Sequence, residues 1–488
     1  MDLLYVDCTL STCFVFIFTF FLIYLATRRQ NGVPPGPPLF PIIGNMPSLM
    51  SSDVLGRISE LRKRYGDVFA LYIGGRLTIF LNGFETINDA FKKQGSLFKR
   101  RPVSPLSNDK GIIFTNDETW KEQRGFAQKA LHEIGFGVNS RYLDEVINSE
   151  ITEFIKKIRL KDSAIDIKKY LNVGISNVVL KLVCSHRYDT DDLEIDNFLT
   201  RLRVSANKFF IREAILSCFP FLSRFPKLKL TITGFFEHQT IFIDKCVAKG
   251  KENVISETRN FVQMYYEKVH ENLIGGLQNS FDHENISISV YQLLSAGSET
   301  TAGSVMWILL HLIRNPHIQD KMAAEMDDIL GSGGLTISDR KRLPYTHSVM
   351  LEGLRIACVA PLGIPHTVSE DVMFHGFLIP KHCSVLANLS SSLKDPHVWK
   401  EPDEFRPDRF LSEDRESVIV PKEFIPFSLG PRSCLGETLA RNEVFLYVAS
   451  IVRKFKLCPE NDDCLPEIRG VFGVTYHPVP FKMRLIPR

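Results

Sequence analysis

The sequence shows no strong charge bias, no paired-cysteine motif, no nucleotide-binding glycine loop and almost no tryptophan. Each absence removes a class of function. Its 59 Lys and Arg stand against 56 Asp and Glu, a net charge of +3 over 488 residues, which leaves no electrostatic footprint for nucleic acid. The ten cysteines form no CxxC pair, so zinc ribbons and thioredoxin-like sites are removed. HExxH, GxGxxG and GxxxxGK are all missing, and the chain carries no recognisable site for a dinucleotide or ATP of its own. Only 3 Trp accompany 13 Tyr and 36 Phe, which favours bulky apolar packing without a polar handle. The scattered single cysteines suit a reducing compartment, where most act as small buried hydrophobes. What remains, 44% hydrophobic and 24% charged residues, is the composition of a globular body with a large core.

One long uncharged run is present, from Cys8 to Thr27, dense in Phe, Leu and Ile. Its length at about 1.5 Å per residue reaches about 30 Å, the thickness of a bilayer core. A cleaved signal peptide is the rival. Against it, Asp2 and Asp7 precede the run, Arg28 and Arg29 follow it, and no Ala-x-Ala site ends it. The positive-inside rule then puts everything after Arg28 in the cytosol. Pro34, Pro35, Pro37, Pro38 and Pro41 follow, a density that cannot continue a helix and favours a stiff extended spacer.

Beyond residue 50, apolar residues recur at three- and four-residue spacing around 53–65, 117–133, 140–158, 166–185, 255–273, 284–313, 316–330, 339–358 and 435–455. Strand-like runs are short: 69–74, 77–82, and pieces near 372–387 and 470–485. The expectation is a mainly α protein, with one large helical domain and small β-sheets behind an N-terminal transmembrane helix. Residues 1–29 are expected to form the membrane signal-anchor and its basic flank, 30–48 a Pro-rich hinge, and 49–488 the folded body.

The most informative stretch is FSLGPRSCLGE, Phe427 to Glu437. Gly430 and Pro431 predict a tight turn, Arg432 a cation, and Cys434 stands just before an apolar helix. A thiol beside a helix N-terminus and a cation is expected to have a depressed pKa. Backbone amides near Leu435 and Gly436 are placed to temper the sulfur's charge. In AGSETT, Ala296 to Thr301, a hydroxyl beside a carboxylate within a long helix can bend the backbone and hold water. Glu352 and Arg355 share a helical face at i, i+3, and Trp120 and Arg124 do so at i, i+4.

Around Cys434, and over essentially the whole chain, the sequence resembles the cytochrome P450 haem-thiolate family, in particular its microsomal family-2-like group. The resemblance implies haem b (iron protoporphyrin IX) with Cys434 as the metal ligand, and a haem site completed by Phe427 and Gly436. It assigns Arg101, Trp120, Arg124, His366 and Arg432 to the propionates. Glu299 and Thr300 become the catalytic pair that delivers protons for oxygen activation. Glu352, Arg355 and Arg409 form a buried structural triad, in which Asp408 replaces the more common Glu without disturbing the Arg.

The implied reaction inserts one atom of O2 into a lipophilic substrate, a steroid, fatty acid or xenobiotic, at the endoplasmic reticulum membrane. The catalytic domain would lie on the cytosolic side. Since no flavin or nicotinamide site is present, electrons come from NADPH through a separate NADPH–cytochrome P450 reductase, with cytochrome b5 as a second donor. Lys121, Lys129 and Arg432 are the expected reductase contacts. The family's pocket positions fall here on Val103, Leu106, Ile112, Phe114, Val204, Phe209, Phe210, Leu293, Leu362, Ile364 and Phe472, an apolar set. Two alternatives stay open: a haem protein that senses a ligand without turnover, and a peroxide rearrangement enzyme that needs no reductase.

Overall fold

The computed structural model describes residues 12, 14–15, 17–20, 28–102, 109–136, 141–159, 163–218, 224–252, 259–276 and 279–488, without the side chains of 136, 205–215, 217–218 and 226–238. Among the described residues no helix is long and apolar enough to cross a membrane. Most of the run expected to form the anchor lies outside them.

The chain enters along the first strand of a sheet. Arg29 donates hydrogen bonds to the carbonyls of Pro34, Pro37 and Ala70, and Asn45 Nδ2 to those of Pro37 and Pro38. The Ala70 N–H bonds Pro35 O at 2.7 Å. Proline cannot donate, so these carbonyls are the acceptors such a segment has left, and the fold uses them to lay it along β1 (Val68–Ile73). Helix α1 (Val54–Tyr65) is capped by Asp53, whose carboxylate accepts the Gly56 N–H. Strand β2 (Arg76–Asn82) pairs antiparallel with β1. β1 is buried on both faces, and so reads as a continuous apolar run. Val68 and Ala70 join the main core, while Phe69 and Leu71 pack under α1 with Phe80. Phe69 and Phe80 are partners in register, with rings stacked 5.0 Å apart.

A helical body follows: α2 (Asp117–Leu131), α3 (Arg141–Arg159), α4 (Lys168–Cys184), α5 (Leu193–Cys218), α6 (Pro226–Glu252), α7 (Phe261–Ile274), α8 (His283–Arg314), α9 (Pro316–Leu330) and α10 (Pro344–Ala357). Short strands β3 (His366–Thr367), β4 (Val372–Phe374), β5 (Phe377–Ile379) and β6 (Ser384–Asn388) precede the last long helix, α11 (Glu437–Lys454). Then come β7 (Phe455–Pro459), β8 (Gly470–Phe472), β9 (Tyr476–Pro478) and β10 (Met483–Pro487). The four-stranded sheet has order β1-β2-β6-β3, with β2 and β6 parallel; the pairs β7–β10, β4–β5 and β8–β9 stand apart.

Helix α8 is the axis. Its 32 residues span about 48 Å, and it packs against α4, α6, α10, α11 and β9. Asp282 caps it through the Asn285 N–H at 2.7 Å. From Thr301 to Ile313 every residue is buried, the signature of a helix surrounded by protein.

Candidate active site

The loop before α11 is tied down at its backbone. The Cys434 N–H bonds Phe427 O at 3.0 Å. Gly430 adopts φ +77°, and a Cβ there would stand 1.8 Å from Phe91 O, so only glycine lets the loop approach that chain. Ser428 is also left-handed, at φ +62°, a strained conformation for a residue with a Cβ. The result fixes the direction of Cys434, and the Gly436 N–H reaches its sulfur.

The cysteine's electrostatics differ from the sequence expectation. Burial pushes the Cys434 thiol up to about 11, against the lowering effects of the Gly436 N–H and, more weakly, Arg124. Its side chain is nevertheless accessible. The thiol is thus crowded by protein atoms and still keeps accessible surface. A helix start and a guanidinium therefore do not by themselves offset desolvation of a thiolate here. A positively charged metal at the sulfur would.

Helix α8 stands beside the cysteine loop. A narrow cleft is lined by Thr300, Thr301 and Ser304 of α8, Pro426 and Phe427 of the loop, and Ala440 of α11. The AGSETT segment and the cysteine loop, far apart in sequence, thus share one space. Thr300 is half-buried and its hydroxyl donates to Ala296 O at 2.6 Å, the back-bond that bends helices. Thr301 Oγ1 is buried with no partner. Glu299 does not turn to Thr300. Its Oε2 lies 3.1 Å from His477 Nε2 on β9, a distance of ion-pair contact without the alignment of a hydrogen bond.

On the other side three arginines converge. Arg101 donates to Ile364 O and Pro365 O at 2.8 and 2.9 Å. Arg124 reaches Ser433 O at 2.6 Å, and Arg432 reaches Thr115 O at 2.6 Å and Lys99 O at 2.7 Å. Arg432 also lies 4.1 Å over the Trp120 ring, whose buried Nε1 has no partner. Burial first, then mutual repulsion, lowers the pKa of Arg101 and Arg432. Guanidinium does not deprotonate in proteins, so that penalty is a demand for an anion. Among the described residues none of the three is in an ion pair with a carboxylate. His366 is buried against Phe91, ring centroids 3.9 Å apart, with Nδ1 bonded to Phe98 O at 2.7 Å. Burial, then Arg101, holds it well below its ordinary pKa, hence neutral.

These residues fit haem. The site offers a sulfur donor, buried cations lacking an anion, and an indole N–H lacking an acceptor. Beside the sulfur, a Cβ on Gly436 would find no protein atom within 4 Å, leaving a face clear for a planar group.

Below the site, Arg355 makes two bonds to Glu352, at 2.7 and 2.9 Å, with both side chains fully buried. Arg409 Nε joins at 3.1 Å. Asp408 stays outside, near Lys321 and Arg415. One expectation is corrected. Arg432 is buried and directed inward, and so offers no surface to a reductase; Lys121 and Lys129 are exposed. Of the expected pocket set, Val103 and Leu106 lie outside the described residues, and Phe209 and Phe210 sit on α5 without described side chains. Ile112 is buried, Phe114, Val204, Leu293, Leu362 and Phe472 are partly buried, and Ile364 is exposed. Sequence reasoning missed His477. Nothing in the spacing of 299 and 477 signals that they meet.

The family profile described as Cytochrome P450 matches residues 34–485. Cytochrome P450 2B19 of Mus musculus is 31% identical, with 96% of this chain and 98% of that protein covered. Cytochrome P450 2K4 of Oncorhynchus mykiss is 31% identical over 95% and 93% of the two chains, and cytochrome P450 2J1 of Oryctolagus cuniculus 31% over 96% and 94%.

Proposed function

The chain belongs to the cytochrome P450 family, and on that premise we propose that Cys434 ligates haem iron while α8 carries the proton-handling groups over the same cleft. The family consists of haem-thiolate monooxygenases, and haem b held by a cysteine thiolate supplies the activation of O2. The observation that carries the reading is that cleft, in which Thr300 and Thr301 face the cysteine loop.

Arg101, Arg124, Arg432 and Trp120 would hold the propionates, giving the arginines the anion their burial demands. Nδ1 of His366 donates to Phe98 O, so Nε2 would donate to the same group only as imidazolium, the form that a neighbouring anion favours. The Thr300 hydroxyl spends its proton on Ala296 O and keeps its lone pairs for the cleft, where it accepts from water and orients it. Glu299 is the nearby carboxyl that exchanges protons with that water. Glu352, Arg355 and Arg409 hold α10 against the chain leading to the cysteine loop.

The substrate is lipophilic, a steroid, fatty acid or xenobiotic, as the apolar set from Ile112 to Phe472 supports. One oxygen atom enters it and the other leaves as water. Electrons arrive from NADPH through a separate reductase, with cytochrome b5 as a second donor, because the chain has no dinucleotide motif. The uncharged run ending at Thr27 supports a single-pass anchor in the endoplasmic reticulum membrane, with residues 30–48 leading to a catalytic domain on the cytosolic side.

The test is the reduced carbon monoxide difference spectrum, followed by product analysis with reductase, NADPH and a lipid and steroid panel. Cys434→His is expected to lose the thiolate-type band. A variant that kept it would place the ligand elsewhere.

A further inference from the structure

The contact between Glu299 and His477 is built from several sides. The two side chains are only 10% and 13% exposed. Strand β9 is fixed on α8 by Trp307 Nε1 donating to Tyr476 O at 3.0 Å and by the stacked Trp307 and Tyr476 rings, and on the chain just after α10 by the Tyr476 N–H on Val359 O at 2.8 Å. The His477 ring lies on Gly303, where a Cβ would come 2.5 Å from Nδ1. That Nδ1 is buried without a partner, while Nε2 stands 2.6 Å from Thr475 Oγ1 as well as 3.1 Å from Glu299. With Nδ1 unpartnered, the polar contacts of the ring are made through Nε2, to Thr475 and to Glu299.

We propose that His477 is a positioning residue for Glu299, fixing its carboxylate against β9 and clear of the Thr300 hydroxyl, so that the carboxyl joins the proton relay only as this contact opens. The inference rests on the reading of Glu299 and Thr300 given above. Burial is the largest influence on Glu299 and alone would raise its pKa; the close contact of His477, with Lys168 and Arg203 farther off, more than offsets it. Glu299 is therefore held as a carboxylate. Without His477 the burial effect is left facing only Lys168 and Arg203, and the carboxyl gains a proton at higher pH.

The experiment measures product formed per NADPH consumed, from about pH 6 to pH 8, in haem-matched wild type, His477→Ala, His477→Gln, Glu299→Gln and the double variant His477→Ala/Glu299→Gln. His477→Ala is expected to introduce a pH-dependent limb in coupling that the wild type lacks, with KM little changed. His477→Gln restores a donor and recovers part of the loss. The double variant should match Glu299→Gln alone. Coupling in His477→Ala that follows the wild-type pH profile, or losses that add in the double variant, would overturn the proposal. Should His477→Ala fail to fold, Gly303→Ala displaces the ring with the side chain retained. A second readout is independent of turnover: the melting-temperature losses of Glu299→Gln and His477→Gln should be less than additive, and additive losses would refute the contact. If Glu299→Gln and Thr300→Ala both leave coupling untouched while the melting losses remain non-additive, the relay fails and the contact stands.

Discussion

Thr300 and Glu352 are both polar groups on core helices, yet their removal carries opposite costs. Thr300 is half-buried and its one donated bond goes to its own helix, so Thr300→Ala is expected to cost about 1 kcal/mol of stability. If the hydroxyl orients relay water, the loss falls on proton delivery, where general acid catalysis contributes about 10²–10⁴-fold. NADPH consumption should continue while product falls and peroxide rises, and unchanged coupling would shift the role to Thr301. Glu352 is fully buried between Arg355 and Arg409 and also accepts the Arg406 N–H at 2.8 Å. Glu352→Ala strands a buried guanidinium, a loss of about 3–5 kcal/mol. The expected result is little soluble haem-bound protein, read from the ratio of Soret to protein absorbance; a variant with normal yield and melting temperature would mean the triad carries no such burden.

Elements were legible where one periodicity ran cleanly. The spacing around 53–65, 284–313 and 316–330 gives α1, α8 and α9 within a residue, the first and last because each buries one stripe of apolar positions, and α8 because its apolar run is long and uninterrupted by proline. Helices α5 and α6 escaped notice: Phe-rich stretches such as 209–221 set apolar residues side by side in the sequence and leave no three- and four-residue spacing to read. The Pro-rich segment read as a spacer because its docking depends on Arg29 and Asn45 meeting carbonyls of β1's neighbourhood, a tertiary fact. The cysteine loop was legible in its residue types but not in its strain or its thiol's environment, which depend on Phe91 and on burial. At this scale the test is Gly430→Ala. An added Cβ 1.8 Å from Phe91 O at a left-handed φ must move the loop, so the haem-bound fraction should collapse. Pro431→Ala, which adds no such clash, should retain haem. Equal haem retention in both would show that the loop tolerates the shift.

At the scale of the whole molecule, the boundary between anchor and folded body can be placed by what Arg29 does. The family match begins at residue 34, which would suggest a cut just before it. Yet Arg29 donates to Pro34, Pro37 and Ala70, stitching the entering chain to the first strand, and burial has already lowered its pKa. Such charge-assisted bonds contribute about 1.5–3 kcal/mol each when fully buried; half-buried and sharing one guanidinium, the set is expected to contribute about 2 kcal/mol in all. Two truncations separate the roles. Removing residues 1–27 should release much of the protein from membranes, with haem content and melting temperature unchanged. Removing residues 1–33 should release it equally but lower the melting temperature at a fixed scan rate, and Arg29→Ala in the longer form should reproduce most of that drop. Residual membrane attachment in both is compatible with exposed Phe40, Ile42 and Met50 on the body. If the first truncation already loses haem, the apolar run belongs to the fold and not to an anchor. If the second melts like the first, Arg29 only decorates the surface, and the folded body begins at the prolines.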